Sequence, residues 1–352
     1  MYDCAEHVLA YHNEEVTLPQ SERTAMRRRR DANRKRVKTG LRKQDKPLPI
    51  GFLPQGSYAM KTMVQEPDND YDIDDGVYFR KEKLVGPNGG EMTPLQVRQM
   101  VRDAVDDGSF KTPPEVKKNC VRVYYEGGYH VDIPCYREVK TQGFWGREEI
   151  HFELASSFWK KSDPVAVTKW FDNENQAQSP DDTNGRQLRR VVRLLKKFAR
   201  SRTSWKGRIA TGFMITKLVT ECYQPNASRE DAALRATMIA IRDRLRDSLE
   251  IQHPVIEGEY LTKGPNDARA KFLLDKLEDA VNKLQILDKP DCTEEEALDA
   301  WDSVFATDFF SRRATTKDKG RSEGEAVSAA VLIGMGNRAP RETQKHGGGR
   351  YG

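Results

Sequence analysis

The sequence contains no Cys-x-x-Cys pair, and its five cysteines, Cys4, Cys120, Cys135, Cys222 and Cys292, are odd in number and widely scattered. This pattern excludes a zinc ribbon and a disulfide framework and reads as reduced, buried thiols. No uninterrupted apolar stretch approaches the roughly 18 to 20 residues of a membrane span. The N-terminus, MYDCAEHVLAYHNEEV, is acidic from the start and lacks the basic-then-apolar layout of a signal peptide, so a cytoplasmic protein is expected. Charge is not one-sided either. With 59 Lys and Arg against 54 Asp and Glu, the formal net charge of +5 excludes a chain that binds nucleic acid through overall basicity. There is no internal repeat.

What the sequence does hold is organised in blocks. Its 352 residues suffice for one large domain or two lobes, each with its own core. Basicity concentrates between Arg23 and Lys43, in a stretch with few breakers that reads as a helix. That helix either offers phosphate contacts or is a solvated face docked through Met26, Val37 and Leu41. A Pro-rich connector, KQDKPLPIGFLPQG, follows. From Ser57 to about Tyr136 the pattern is short β segments, with a hairpin around Gly127 and Gly128. One amphipathic helix interrupts them, carrying Leu95, Val97, Met100, Val101 and Val105.

Beyond residue 160 the pattern is helical. In RQLRRVVRLLKKFARSR, Leu188, Val191, Val192, Leu195 and Phe198 share one side and basic residues the other. Further helices are expected over 209–223, 229–249, 267–287 and 294–305. The expected division is a helical N-terminal segment over 1–46, a sheet domain over 47–160, a helical lobe over 161–310 and a mostly flexible tail over 311–352.

Three carboxylates stand out chemically. In DYDIDDG, Asp72 and Asp74 sit two apart on a strand, so both project from one face while Ile73 and Asp75 take the other. Like charges that close call for a counter-charge, and a hard divalent cation is the sharp reading. Asp132 in YHVDIP, late in the second hairpin strand, suits a third ligand. His130, two residues earlier on the same face, reads as a packed sheet histidine. Ahead of these, Gly56 and Ser57 in QGSY form a turn through which the backbone can approach an anion. Gly-Ser, Asp-x-Asp and a strand Asp in this order present the parts of one phosphoryl-transfer reaction.

These motifs, with KKSDPVAVTKWF and LRRVVRLLKKF after them, resemble the cGAS/DncV-like nucleotidyltransferases of bacterial anti-phage defence over residues 50–215. The resemblance implies an α+β chain, in which a polymerase-β-like nucleotidyltransferase sheet lobe faces a helical C-terminal lobe. It implies an enzyme that joins nucleoside triphosphates, ATP or GTP, into a cyclic di- or trinucleotide with Mg²⁺ or Mn²⁺. Carried over by residue, it makes Asp72, Asp74 and Asp132 metal ligands and puts Gln55, Gly56 and Ser57 at the triphosphate. Ser162 and Asp163 match base contacts, and Lys196 matches a phosphate-facing position. Ser-Asp-Pro is equally good helix-capping chemistry, and Lys196 reads alternatively as a solvated helix lysine. Arg122 matches a further base contact. A strict two-residue Gly127-Gly128 turn would pair Asp132 with Val123 and turn Arg122 away, whereas a three-residue turn would pair Asp132 with Tyr124 and restore it.

Two other readings stand beside this one: a linear nucleotidyltransferase acting on RNA or protein, with the basic helix as acceptor groove, and an inactive nucleic-acid-binding scaffold. All three aspartates being in place argues against the scaffold. The last residues, KHGGGRYG, suggest a Gly-terminated tail able to present Gly352 to a partner with ubiquitin-activating chemistry, as the resemblance also implies for some members.

Overall fold

The computed structural model describes residues 1–66, 71–142 and 148–314. Gly352 and the rest of the tail lie outside the described residues. Among the described residues the chain runs α1 (Ala5–Tyr11), α2 (Gln20–Lys43), β1 (Gly51–Gln55), α3 (Gly56–Ala59), β2 (Asp72–Arg80), α4 (Pro94–Val105), β3 (Glu115–Val116), β4 (Val121–Tyr124), β5 (His130–Ile133), β6 (Cys135–Gln142), β7 (Glu148–Ala155) and β8 (Trp159–Lys161). Six helices follow: α5 (Pro164–Gln178), α6 (Gln187–Arg200), α7 (Gly212–Cys222), α8 (Glu230–Asp247), α9 (Ala268–Lys283) and α10 (Glu294–Phe305). Among the described residues no helix is long and apolar enough to cross a membrane.

One mixed sheet organises the first half. Its order is β3-β4-β5-β2-β6-β7-β8, with β1 paired antiparallel to β2. β5 and β6 run parallel to β2 in succession, on either side of Pro134. Alternation along β2 separates two functions. Ile73, Val77 and Phe79 enter the core beneath α2 and α4, while Asp72, Asp74 and Tyr78 take the opposite face. The Pro-rich connector is thus partly a strand, because Pro54 sits on an edge where a missing N–H costs no ladder bond.

The basic helix α2 is docked as the apolar positions suggest, with Met26, Val37 and Leu41 buried. Several of its cations are committed to the sheet lobe. Arg34 forks Asp75 at 2.7 and 2.5 Å, Arg36 meets Asp107 at 2.8 Å, and Arg29 lies 3.8 Å over the Tyr129 ring. In α4, Val97, Met100, Val101 and Val105 are buried, but Leu95 next to the Thr93 cap is exposed. Of the cysteines, Cys292 is only partly covered; the other four are buried and all are free thiols.

The second core gathers α6 to α10 and also α1, whose Val8 and Tyr11 lie among them. Central to it is α6, which differs from a half-solvated helix. Arg189, Arg190, Arg193 and Lys196 on its basic side are buried along with its apolar side. Arg190 is held within the helical lobe by Glu230, and the sheet lobe covers the other three: Arg189 donates to the Met60 carbonyl at 3.0 Å, Arg193 to that of Lys61 at 2.9 and 2.6 Å, and Lys196 to Thr62 Oγ1 at 2.8 Å. These bonds grip the chain just after α3 and so fix the short turn that begins at Gly56.

The crossing of α2 on α4 has one tight point. A Cβ built at Gly40 would stand 2.0 Å from the Ala104 carbonyl oxygen, a backbone atom that cannot swing away. Gly40→Ala is therefore expected to lower stability by about 1 to 3 kcal/mol or more through overpacking, outweighing any gain in helix propensity. A urea unfolding midpoint equal to or above the parent's would contradict this packing.

Candidate active site

Between the two lobes lies a cleft of about 730 Å³. Gln55, Gly56, Ser57, Asp74, Arg122, Asp132, Ser162, Asp163 and Lys196 all line it, drawn from β1, α3, β2, β4, β5, the start of α5 and α6. Asp72 opens onto the adjoining hollow, which shares Lys196 and Arg200 with the cleft.

The carboxylates meet because β5 is parallel to β2 in a register that sets Asp74 beside Asp132 and Asp72 beside His130. Across β4 the pairing is Arg122 with Asp132: the turn has three residues and sets Arg122 on the active face, but it begins one residue earlier than the turn that would pair Asp132 with Tyr124. The loop spans Glu126 to Gly128, closed by a Tyr125 N–H donating to the Tyr129 carbonyl at 2.9 Å. Two left-handed glycines, Gly127 at φ +79° and Gly128 at φ +87°, make it possible. Directly opposed residues share a face, so Arg122 forks both oxygens of Asp132 at 2.8 Å and reaches Asp72 at 3.5 Å. His130 packs edge-on against Tyr124 and lies 3.4 Å from Asp72.

Gly56 is fixed from below. Its φ is +63°, and a Cβ there would lie 2.6 Å from Asp74 Oδ2. Burial, together with the like charges of Asp132 and Asp72, pushes the Asp74 carboxyl up to about 7. The ammonium of Lys196 is pushed down to about 7 by burial and by Arg200 and Arg193. It is a buried lysine, not a solvated one. Asp163 caps α5, its Oδ1 accepting from the Ala166 N–H at 2.8 Å with Pro164 following, so the capping reading describes this side chain even as it borders the cleft.

Several cleft residues lie outside the sequence reading: Lys117, Lys118, Tyr136, Arg200, Phe213 and His253. Arg200 had a signal, since it stands one turn after Lys196 on the same face of α6. Tyr136, stacked on Tyr78 at 4.7 Å, carries the hydroxyl that faces Gln55 and Ser162. Phe213 and His253 come from remote segments and had none.

Fit to a divalent cation can be judged from the donors. They are all oxygen, and three carboxylates share one guanidinium, a surplus of negative charge that suits a hard ion. Among the described residues no three His, Cys, Asp or Glu side chains stand as a preformed metal-holding group. The Arg122 fork occupies both oxygens of Asp132, so a cation would take the place of that fork. The crowding also sets a pH dependence. Between about pH 3.8 and 7 the folded protein keeps a proton on Asp74 that the unfolded chain releases, so stability falls as pH rises through this window. Asp74→Asn is expected to flatten the fall in melting temperature of the cation-free protein between pH 4 and 8. A parallel fall in parent and variant would contradict it.

Residues 50–136 match the family described as cyclic GMP-AMP synthase DncV-like, nucleotidyltransferase domain. The chain is 22% identical over 318 residues to a c-di-GMP synthase of Roseivirga ehrenbergii, covering 81% of each. Among solved structures it is similar to CD-NTase CdnG of Bradyrhizobium diazoefficiens in complex with GTP, with a TM-score of 0.64, 18% identity and coverage of 86% of this chain and 97% of that one. It is also similar to DncV cyclic AMP-GMP synthase of Vibrio cholerae in complex with a linear intermediate, with a TM-score of 0.65, 16% identity and coverage of 87% and 96%. The match over residues 50–136 spans β1 to the start of β6, the segment that carries all three carboxylates, and the solved structures show that the whole chain shares their fold of a mixed sheet facing a helical lobe.

Proposed function

We propose that this enzyme joins purine nucleoside triphosphates into a cyclic di- or trinucleotide, in a reaction that needs Mg²⁺ or Mn²⁺. The observation that carries the reading is the register that sets Asp74 beside Asp132 on the wall of the inter-lobe cleft, with Asp72 two residues away on the same face of β2 and Gly56 pressed onto Asp74. Asp72, Asp74 and Asp132 would hold the cation, which when bound neutralises charge on the transferring phosphoryl group and makes the attacking hydroxyl more acidic. Gln55, Gly56 and Ser57 receive the donor triphosphate, close to Lys196 on α6. Ser162 and Asp163 border the base end.

In the proposed step a ribose hydroxyl of one nucleotide attacks the α-phosphorus of the other. The new O–P bond forms as the α–β bridge breaks, pyrophosphate leaves, and Asp132 takes the hydroxyl proton. Arg122, released from Asp132, turns toward the base it matches by resemblance. A second transfer within the linear product closes the ring. The resemblance extends the proposal to a second messenger in anti-phage defence and to conjugation through Gly352. The latter rests on the sequence alone and predicts adducts that vanish in Gly352→Glu.

The test is incubation with α-labelled nucleoside triphosphates and Mg²⁺, followed by phosphatase. Label retained in a phosphatase-resistant product is expected, and Asp72→Asn with Asp74→Asn should reduce it to less than a few per cent of parent while leaving the circular dichroism spectrum unchanged. Label that phosphatase removes completely, or that travels with added RNA or protein, would reject ring closure.

A further inference from the structure

Besides the carboxylates and Lys196, the cleft is lined by Phe213 at the start of α7 and by His253, which lies in the segment between α8 and α9. Phe213 and His253 meet edge to face, with ring centroids 5.6 Å apart at 80°.

His253 is held in a built loop. Its N–H donates to the Glu259 carbonyl at 2.8 Å, Leu261 N–H donates to the Ile251 carbonyl at 2.7 Å, and Gln252 pairs with Tyr260 across an isolated bridge. Ile251 is fully buried in the helical core, and Glu259 reaches across to Lys160 on β8 at 3.0 Å. The loop is thus tied to both lobes above the cleft.

The imidazole has its tautomer chosen by this loop. Two backbone donors, Val255 N–H at 3.2 Å and Ile256 N–H at 3.0 Å, aim at Nδ1. Nδ1 must accept, so the proton of the neutral ring sits on Nε2. Burial favours that neutral ring by pushing its pKa down. Among the described residues Nε2 has no hydrogen-bond partner in the protein, and the ring borders the cleft. His253 therefore presents one oriented N–H donor beside an aromatic face.

We infer that His253 reads a nucleobase bound in the cleft and favours guanine over adenine, an assignment that rests on the nucleotidyltransfer reading above. Guanine offers two adjacent acceptors, N7 and O6, along one edge. Adenine sets the N6 amino donor beside its N7. A fixed N–H donor is satisfied anywhere along the guanine edge and opposed by half of the adenine edge. Phe213 supplies the apolar surface against which a base can rest. Discrimination follows from donor against acceptor and not from size, which a roomy cleft cannot sense.

Two variants separate this role from support of the loop. In His253→Asp a carboxylate oxygen can still accept from the backbone N–H groups, as Asp does in local turns, but the outward donor is gone. In His253→Asn the turn is kept without added charge and the donor is too short to reach. Equilibrium binding of GTP and of ATP to the full-length parent and to each variant, followed by the ratio of GMP to AMP incorporated from an equimolar mixture, gives the readout. The parent should prefer GTP, and the preference should fall at least tenfold in His253→Asp and by a smaller factor in His253→Asn. Inosine triphosphate, which keeps N7 and O6, should bind the parent within about threefold of GTP, a result that needs no variant to fold. A preference unchanged within twofold in folded variants, equal losses for both nucleotides, or weak inosine triphosphate binding would overturn the inference. A parent that prefers GTP in binding yet makes no product would leave base reading standing and overturn nucleotidyl transfer instead.

Discussion

Three carboxylates crowded against one guanidinium are the constraint around which this molecule is arranged. The parallel pairing of β2 with β5 brings Asp74 next to Asp132, and the opposed position on β4 supplies Arg122. Each element nearby accommodates that arrangement. Gly56 has no Cβ because one would collide with Asp74, and two left-handed glycines set the hairpin register that delivers Arg122 to the right face. The alternate residue, Asp75, has its own fork from Arg34 and serves the core side of the sheet. Carboxylates on opposite faces of β2 thus meet different cations for different purposes.

The helical lobe answers with the opposite charge. Along α6, Arg190 is neutralised by Glu230 at 3.0 and 2.9 Å, whereas Arg193 and Lys196 are turned to carbonyl and hydroxyl oxygens of residues 61 and 62. Charged groups held by neutral acceptors in a buried setting are costly unless something gains from them. Here they lock the residues that follow α3 in place, and Lys196, pushed down to about 7 by burial, is the member of the pair that reaches the cleft wall. Lys117, Lys118 and Arg200 add basic side chains to the same lining, so the cleft carries groups of both signs.

Much of this was legible from the chain. Period-two alternation identified β2 and the face its aspartates share, and period-3.6 patterning located α4 and α6 to α10, because both depend only on local geometry. The position of Asp132 followed from Pro134, which interrupts a strand. What escaped depended on distance. The register of the β4–β5 hairpin turned on the backbone angles of Gly127 and Gly128, which permit several turns. β1 was hidden by Pro54, since an edge strand tolerates a proline. The basic side of α6 read as solvated because nothing local reveals that residues 60–62 will cover it. Phe213 and His253 reach the cleft only through tertiary folding, and Asp163 shows that a cap and a cleft residue are the same atoms seen from two sides.

The central claim is that Arg122 stands where a divalent cation belongs. It is tested most directly by titrating Mn²⁺ into the nucleotide-free protein and following free Mn²⁺ by electron paramagnetic resonance, for the parent and for Arg122→Met. Removing the guanidinium leaves Asp132 and Asp72 without their counter-charge, so the account predicts tighter Mn²⁺ binding by the variant than by the parent. Equal or weaker binding in a folded variant would contradict it.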